Sequence, residues 1–333
     1  MKTTSISVMN LCVPCNCHCR YCLLSWSNKV LGVDYDRSVA YAKRFQEWMK
    51  IHQPDMKFIF YYGYSMEHPR LLESIDFMKS LDSPGGEFLQ FDGMKFRNRQ
   101  EIEELLKGIM EHGIRNVNMT IYGTEEYHDR FAGRKGDYQY LLNILSVANE
   151  LGLPVSVGAP LNQENVDQAD ELVELLQQYS LERLFLFVPH AEGRGVTLND
   201  IRLRRENFEK LKEETKAFFN TKIYRTEAEW VTAKDFTQYE NRALTISLTP
   251  ENVECFEQMD FEETIAYLEG LDDAYYGEIP VLEDLIERYG DSENTEYYSQ
   301  RDLYLKYQRK YIQEHHIDIY DINDERQCFS RRY

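Results

Sequence analysis

No apolar run in this 333-residue chain approaches the roughly 18 residues that a membrane span needs, so no membrane partner is expected. Basic residues are scarce: 38 Lys and Arg stand against 57 Asp and Glu, for a net charge of −19. The shortage is local as well as global. Between Glu240 and Glu296 there are 17 acidic residues and only two basic ones, Arg242 and Arg288. Neutralising phosphates takes clustered Lys and Arg, so a nucleic-acid partner is not expected either. This acidic stretch reads as a solvated face or as an electrostatic funnel for a basic substrate, such as a Lys- or Arg-bearing peptide. Pro/Gly/Ser-rich linkers, internal repeats and low-complexity tracts are lacking, and the opening MKTTSISVMNLC has too short an apolar stretch for a secretory signal. A cytoplasmic location is the expectation.

Cysteine is nearly absent from most of the chain. Of seven, Cys12, Cys15, Cys17, Cys19 and Cys22 lie within eleven residues, and only Cys255 and Cys328 lie elsewhere. A disulfide framework distributes its cysteines through a small secreted fold. Five thiols crowded into one loop of a large chain point instead to metal binding. Apolar material is plentiful, at 43% hydrophobic and 13% aromatic with 24 Tyr, enough for a sizeable core.

The first half alternates strand-length and helix-period runs. Strands are expected at 5–11, 58–62, 87–91, 117–122, 154–159 and 183–188. Helices are expected at 36–52, 71–81, 98–112, 138–151 and 166–179. The helix at 98–112 opens on Asn98 and stops at Gly113. Strands with little polar alternation imply a parallel sheet covered on both faces, wound by right-handed crossovers. Chemistry in such folds collects at the C-terminal strand ends. There the sequence puts the cysteine loop, Gly63-Tyr64-Ser65, Asp92-Gly93-Met94, Tyr122-Gly123-Thr124, Gly158-Ala159-Pro160 and the His190–Gly195 run. Past residue 200 helical stretches dominate, at 207–219, 261–268, 281–289 and 301–315. The expected architecture is therefore α/β: a partial (β/α)6 TIM-like barrel over residues 1–200, followed by an acidic, mainly helical C-terminal region over 201–333.

Soft thiolate ligands suit iron in both redox states, and three of them leave one corner of an iron–sulfur cubane open to a non-protein ligand. Cys15-x3-Cys19-x2-Cys22, with the aromatic Tyr21 before the last cysteine and a strand leading in, resembles the three-cysteine signature of the radical S-adenosylmethionine (SAM) superfamily. The alternative is a closed zinc site, which takes four N/S ligands; Cys17, His18, Cys255 or Cys328 would have to complete it. The resemblance covers residues 5–200. It implies one [4Fe–4S] cluster on Cys15, Cys19 and Cys22, with SAM chelated at the open iron and cleaved after one-electron reduction to a hydrogen-abstracting 5′-deoxyadenosyl radical. It also implies SAM contacts from Tyr21, Gly63, Tyr64, Ser65 and Asp92, and an electron donor such as flavodoxin or ferredoxin; Arg194, between two glycines after a strand, reads as a contact to the SAM carboxylate or ribose or as a turn stabiliser. The family's Gly-Gly-Glu-type turn is altered here: Gly63 fits, but Tyr64 replaces the second Gly, and Glu67 lies further along. A peptide substrate is slightly favoured over a small molecule. The rival from another class is a non-catalytic metal-binding interaction protein on the same scaffold.

The remaining candidates carry two readings each. His128-Asp129 reads as an acid/base pair or as a loop-ordering hydrogen bond. Cys255, flanked by apolar residues, reads as a hydrogen-atom donor or, more commonly for such a residue, as buried packing. Trp230 and Tyr275-Tyr276 read as core or interface. Too few cysteines follow Cys22 for a second cluster.

Overall fold

Residue alternation makes the central strands two-faced. In the computed structural model, which describes residues 1–22, 30–61, 65–81, 88–238, 240–317 and 329–332, β1 (Lys2–Asn10) buries Ile6 and Val8 completely. Its other face carries Ser5 and Ser7. β4 (Asn116–Thr120), further along, buries Val117 and Met119 and turns Asn116, Asn118 and Thr120 the other way. The apolar faces meet the helices that cover the sheet, and the small polar ones meet each other. Ser7 Oγ lies 2.9 Å from Thr245 Oγ1, and Asn116 Nδ2 donates to Ser156 Oγ at 3.3 Å.

The first half follows the expected alternation: β1, α1 (Tyr35–His52), β2 (Lys57–Tyr61), α2 (Leu71–Ser80), β3 (Phe88–Gln90), α3 (Arg99–Glu111), β4, α4 (Glu125–Ala132), α5 (Asp137–Leu151), β5 (Val155–Pro160), α6 (Ala169–Leu176) and β6 (Arg183–Phe187). Local chemistry sets the ends. Asn98 and Glu101 form a reciprocal capping box at the start of α3, and Gly113 turns out of it at φ +87°. Strands β3-β4-β5-β6 pair in parallel in that order. β1 pairs in parallel with β2, aligning Val8 with Phe60.

Beyond residue 200 come α7 (Arg205–Phe208), α8 (Glu213–Lys216), β7 (Tyr224–Thr226), α9 (Glu227–Ala233), β8 (Asn241–Leu248), α10 (Val253–Gln258), α11 (Phe261–Glu278), α12 (Leu282–Tyr289), β9 (Tyr297–Ser299), α13 (Gln300–His315) and β10 (Phe329–Arg332). The region is mainly helical, yet β8 lies parallel against β1 on the side away from β2, with β10 antiparallel outside it. The single helix expected over 207–219 is instead α7 and α8. A continuous helix would hold Phe208 and Phe219 about 16 Å apart along its axis. The break brings their rings to 4.7 Å, both buried.

Two cores result. The large one fills the space between strands and helices. A smaller one gathers Trp230, Tyr275, Leu285, Tyr298, Leu303 and Tyr307, with Tyr276 packed against it, as the core reading of Trp230 and Tyr275-Tyr276 anticipated. No described helix is long and apolar enough to cross a membrane.

Candidate functional site: the cysteine loop and its walls

Parallel pairing puts the C-terminal ends of the strands on one rim, and the loops that follow them converge there on the cysteine segment. β1 runs out through Leu11 into Cys12–Cys22, and each stretch of that segment is tied to a different neighbour. Asn16 donates from both its backbone N and Nδ2 to the carbonyl of Gly93, at 2.9 Å each, on the turn after β3. His18 N donates to Ala132 O at 2.8 Å and Arg20 N to Phe131 O at 3.0 Å, at the end of α4. Cys22 O accepts from Arg194 N at 3.0 Å, on the 3₁₀ turn Gly193–Ile201 after β6.

The thiols gather inside this frame. Cys15 and Cys22 pack on Met9 and Leu11, while Cys19 and Tyr21 pack on Tyr122, Tyr127 and Phe131. Cys15 and Cys19 both meet the buried thiol of Cys17, and Cys22 is close enough to Cys15 for their charges to interact. Hydrogen bonding to Cys17, with burial added, pushes the Cys15 and Cys19 thiols up; the same bonds and the Arg134 guanidinium pull Cys17 down. That ordering disappears once Cys15 and Cys19 give up their protons to a metal. Cys12 sits partly in the main core, and burial raises its thiol to about 11.

The donor set fits a cubane. Among the described residues no three His, Cys, Asp or Glu side chains converge as ligands around a single ion. A cubane asks for something different: three thiolates that each take their own iron corner, and so stand further apart than ligands of one ion. Cys15, Cys19 and Cys22 lie on one pinned loop and are the donor type that such a cluster takes.

The other expected site residues are placed as follows. Tyr21 leads into Cys22, with its ring edge-on to Tyr122 at 5.4 Å. Asp92 lies on the turn after β3, where it accepts from Thr120 N at 2.9 Å; burial raises its carboxyl to about 7. The Arg194 guanidinium reaches the cysteine loop, with Nη1 2.7 Å from His18 Nε2. Gly63 and Tyr64 lie outside the described residues. Ser65 begins a 3₁₀ turn, Ser65–Glu67, that docks on the segment after Gly93, where the Glu67 carboxylate accepts from Lys95 N at 2.7 Å and pairs with Arg97.

Of the two-way sequence readings, that of His128-Asp129 falls to loop ordering, and that of Cys255 as buried packing needs correction. His128 is fully buried: its Nδ1 accepts from Tyr122 N at 3.1 Å, and its Nε2 faces Asp137 Oδ2 at 3.2 Å. Asp129 accepts from Gly136 N and Tyr138 N at the start of α5. The pair orders loops and offers no acid or base to a substrate. Cys255 is exposed, not packed, because α10 turns Val253 and Phe256 inward and Cys255 outward.

Sequence reasoning missed the wall behind the loop. Tyr122 and His128 stack at 4.9 Å, Phe131 tilts against Tyr122 at 4.7 Å, and Asp137 touches both His128 and Cys17. The signal was available in Tyr127 and Phe131 at helical spacing between Thr124 and Gly133, which marks α4.

Comparison with known proteins agrees with this site. The model of the Radical SAM superfamily matches residues 9–176. The sporulation killing factor maturation protein SkfB of Bacillus subtilis is 33% identical over 76 residues, 23% of this chain and 18% of that protein. The Fe-coproporphyrin III synthase of Methanosarcina barkeri is 28% identical over 92 residues, 28% of this chain and 23% of that protein. The chain thus matches under a quarter of the length of either curated relative. Streptococcus suis SuiB, solved with its precursor peptide SuiA, shares the fold at a TM-score of 0.51 and 10% identity, over 78% of this chain and 62% of SuiB.

Proposed function

The chain belongs to the radical SAM superfamily, and on that premise we propose that it is an enzyme that takes a hydrogen atom from a peptide substrate. The observation that carries the reading is the gathering of Cys15, Cys19 and Cys22 on one loop at the strand-end rim, each stretch of the loop pinned by a different neighbour. Those three thiolates hold one [4Fe–4S] cluster, which when bound supplies the electron that cleaves SAM to methionine and a 5′-deoxyadenosyl radical. That electron comes from a small carrier of the flavodoxin or ferredoxin kind.

The chain's own residues position and shield. Backbone bonds to Gly93, Ala132, Phe131 and Arg194 fix the loop's path, so the three sulfurs meet the cluster without reordering. Tyr21, Tyr122 and Phe131 form an aromatic wall beside Cys19, which keeps water from that side. Asp92, Arg194, Ser65 and the Gly63-Tyr64 turn offer polar contacts to the cosubstrate. Residues 1–200 act as the catalytic core and 201–333 as the region that shapes the mouth. A cytoplasmic enzyme is the natural setting for such oxygen-sensitive chemistry.

A peptide is favoured because SkfB is a maturation protein and SuiB is solved with a precursor peptide, and because the acidic 240–296 stretch suits a basic partner. The likeness to Fe-coproporphyrin III synthase keeps a small molecule as the second reading.

Anaerobic reconstitution tests the proposal. The expected product is a brown protein with about four irons per chain that releases 5′-deoxyadenosine from SAM when reduced. A colourless protein that binds one zinc and leaves SAM intact favours the non-catalytic alternative. Mass spectrometry of peptides from cells carrying the wild type or Cys19→Ala then identifies the substrate.

A further inference from the structure

We infer that Tyr122 is a positioning residue that sets the reduction potential of the cluster through a hydrogen bond to the sulfur of Cys19. The inference rests on the proposed cluster and goes beyond it by naming a side chain outside the three ligand cysteines.

The geometry is specific. The Tyr122 hydroxyl donates to Cys19 Sγ at 3.2 Å, and the ring is buried. Once Cys19 is a thiolate on iron its sulfur has no proton, so it can only accept and Tyr122 can only donate. Nothing about the ring is left to chance. Tyr122 N donates to His128 Nδ1, and the ring stacks on the imidazole at 4.9 Å. Phe131 and Tyr21 close its remaining sides at 4.7 Å and 5.4 Å. His128 is in turn fixed by Asp137. The Tyr21 hydroxyl lies beside that of Tyr122.

The physical consequence has a sign. Reduction adds negative charge to the cluster and its thiolates, and a donor aimed at a thiolate stabilises the more negative state. Tyr122 therefore makes the cluster easier to reduce. This is the outer-shell tuning of ligands that metal sites commonly use, carried here by one rigid phenol.

The test compares anaerobically reconstituted wild type, Tyr122→Phe and Tyr127→Phe. Each is assayed for iron, for its absorption spectrum, and for midpoint potential by redox titration followed by electron paramagnetic resonance. Tyr127 belongs to the same aromatic cluster, but its hydroxyl bonds Asn162 and Glu164 and no sulfur. The expected result is a full cluster in all three, with Tyr122→Phe alone displaced downward. A tenfold loss in the reduction equilibrium corresponds to about 59 mV for one electron. Equal potentials in wild type and Tyr122→Phe overturn the inference, as does an equal drop in Tyr127→Phe. Absence of a four-iron cluster from the wild type sinks the proposed function instead, so the two failures are distinct. Should Tyr122→Phe fail to load, 3-fluorotyrosine installed at position 122, whose more acidic hydroxyl donates more strongly, raises the potential; an unmoved potential there refutes the inference.

Discussion

Substituting Gly93 by Ala tests whether the turn after β3 sets the position of the first cluster ligand. Gly93 has φ +76°, and a Cβ built there lies 2.2 Å from Cys15 Sγ. Ordinary contact begins at 3.4 Å, so the sulfur has to retreat by about 1.2 Å, well outside the ~0.5 Å within which a functional constellation must be held. Left-handed backbone strain adds ~1–2 kcal/mol for a residue with a Cβ. At ~2–4 °C per kcal/mol for a larger domain, that strain lowers Tm by ~2–8 °C. Gly152→Ala separates the two effects, because Gly152 has φ +70° with nothing within 4 Å of its built Cβ. Both variants are expected to melt lower by similar amounts, and only Gly93→Ala to lose iron. Circular dichroism melts and iron analysis after anaerobic reconstitution read the two quantities. A Gly93→Ala protein with a full complement of iron refutes the reasoning, and so does loss of iron from Gly152→Ala.

Other outcomes follow from the same geometry. Alanine at Cys15, Cys19 or Cys22 abolishes the brown absorption, whereas the exposed Cys255→Ala keeps its iron and its SAM cleavage; loss of either in Cys255→Ala contradicts the ligand assignment. Arg242 is buried against Asp272, with Glu269 and Asp273 completing its contacts. Arg242→Gln removes the cation paired with the buried Asp272 carboxylate and costs ~3–5 kcal/mol, read as a lower urea midpoint. At the His190–Asp302 pair, the charge of Asp302 holds His190 above its ordinary 6.5. Burial opposes ionisation of Asp302, but His190 and Arg202 outweigh it and hold the carboxyl below 3.8. The histidine's contribution to stability is complete below pH 6.5 and fades as pH rises through its folded pKa; the aspartate's is complete above pH 3.8 and is lost as pH falls through its own. Tm is therefore expected to decline above pH 6.5 in wild type and to decline less in Asp302→Asn, and parallel Tm–pH curves would rule the linkage out.

Much of the fold was legible because its signals are local. Asn98 and Gly113 bracket α3, and strand-length apolar runs marked β1 to β6 within a few residues. The cysteine spacing was legible for the same reason. What was hidden depends on distant partners. β8 carries a strand-like Leu244–Leu248 run, but it lies in an acidic stretch flanked by helical patterns, and its partner β1 stands some 240 residues earlier. α7 and α8 share one helical period, and the break between them accompanies the tilted contact of Phe208 with Phe219. Around the cysteines the sequence marked the proposed ligands and left their supports unread. Gly93 looks like any turn glycine until Cys15 Sγ is placed against it, and Tyr122 looks like a strand-end aromatic until its hydroxyl meets Cys19.

The C-terminal region reaches the cluster loop through charge rather than apolar packing. Loops at a barrel mouth are the least constrained part of such folds, yet the His190–Gly195 run is gripped along its length by α13. Asp302 accepts from Ala191 N at 3.0 Å and faces His190, Arg301 pairs with the buried Glu192, and Arg309 donates to Ala191 O. The next residues of that run hold Cys22: Arg194 N bonds its carbonyl, and a Cβ at Gly195 would strike His190 O at 2.1 Å. A chain of short, mostly buried contacts therefore leads from α13 to Cys22, the third of the proposed ligands. Apolar contacts would tolerate sliding of one element past another, whereas hydrogen-bonded charges fix a single register. The helical region beyond residue 200 thus holds the rim where the cysteines stand.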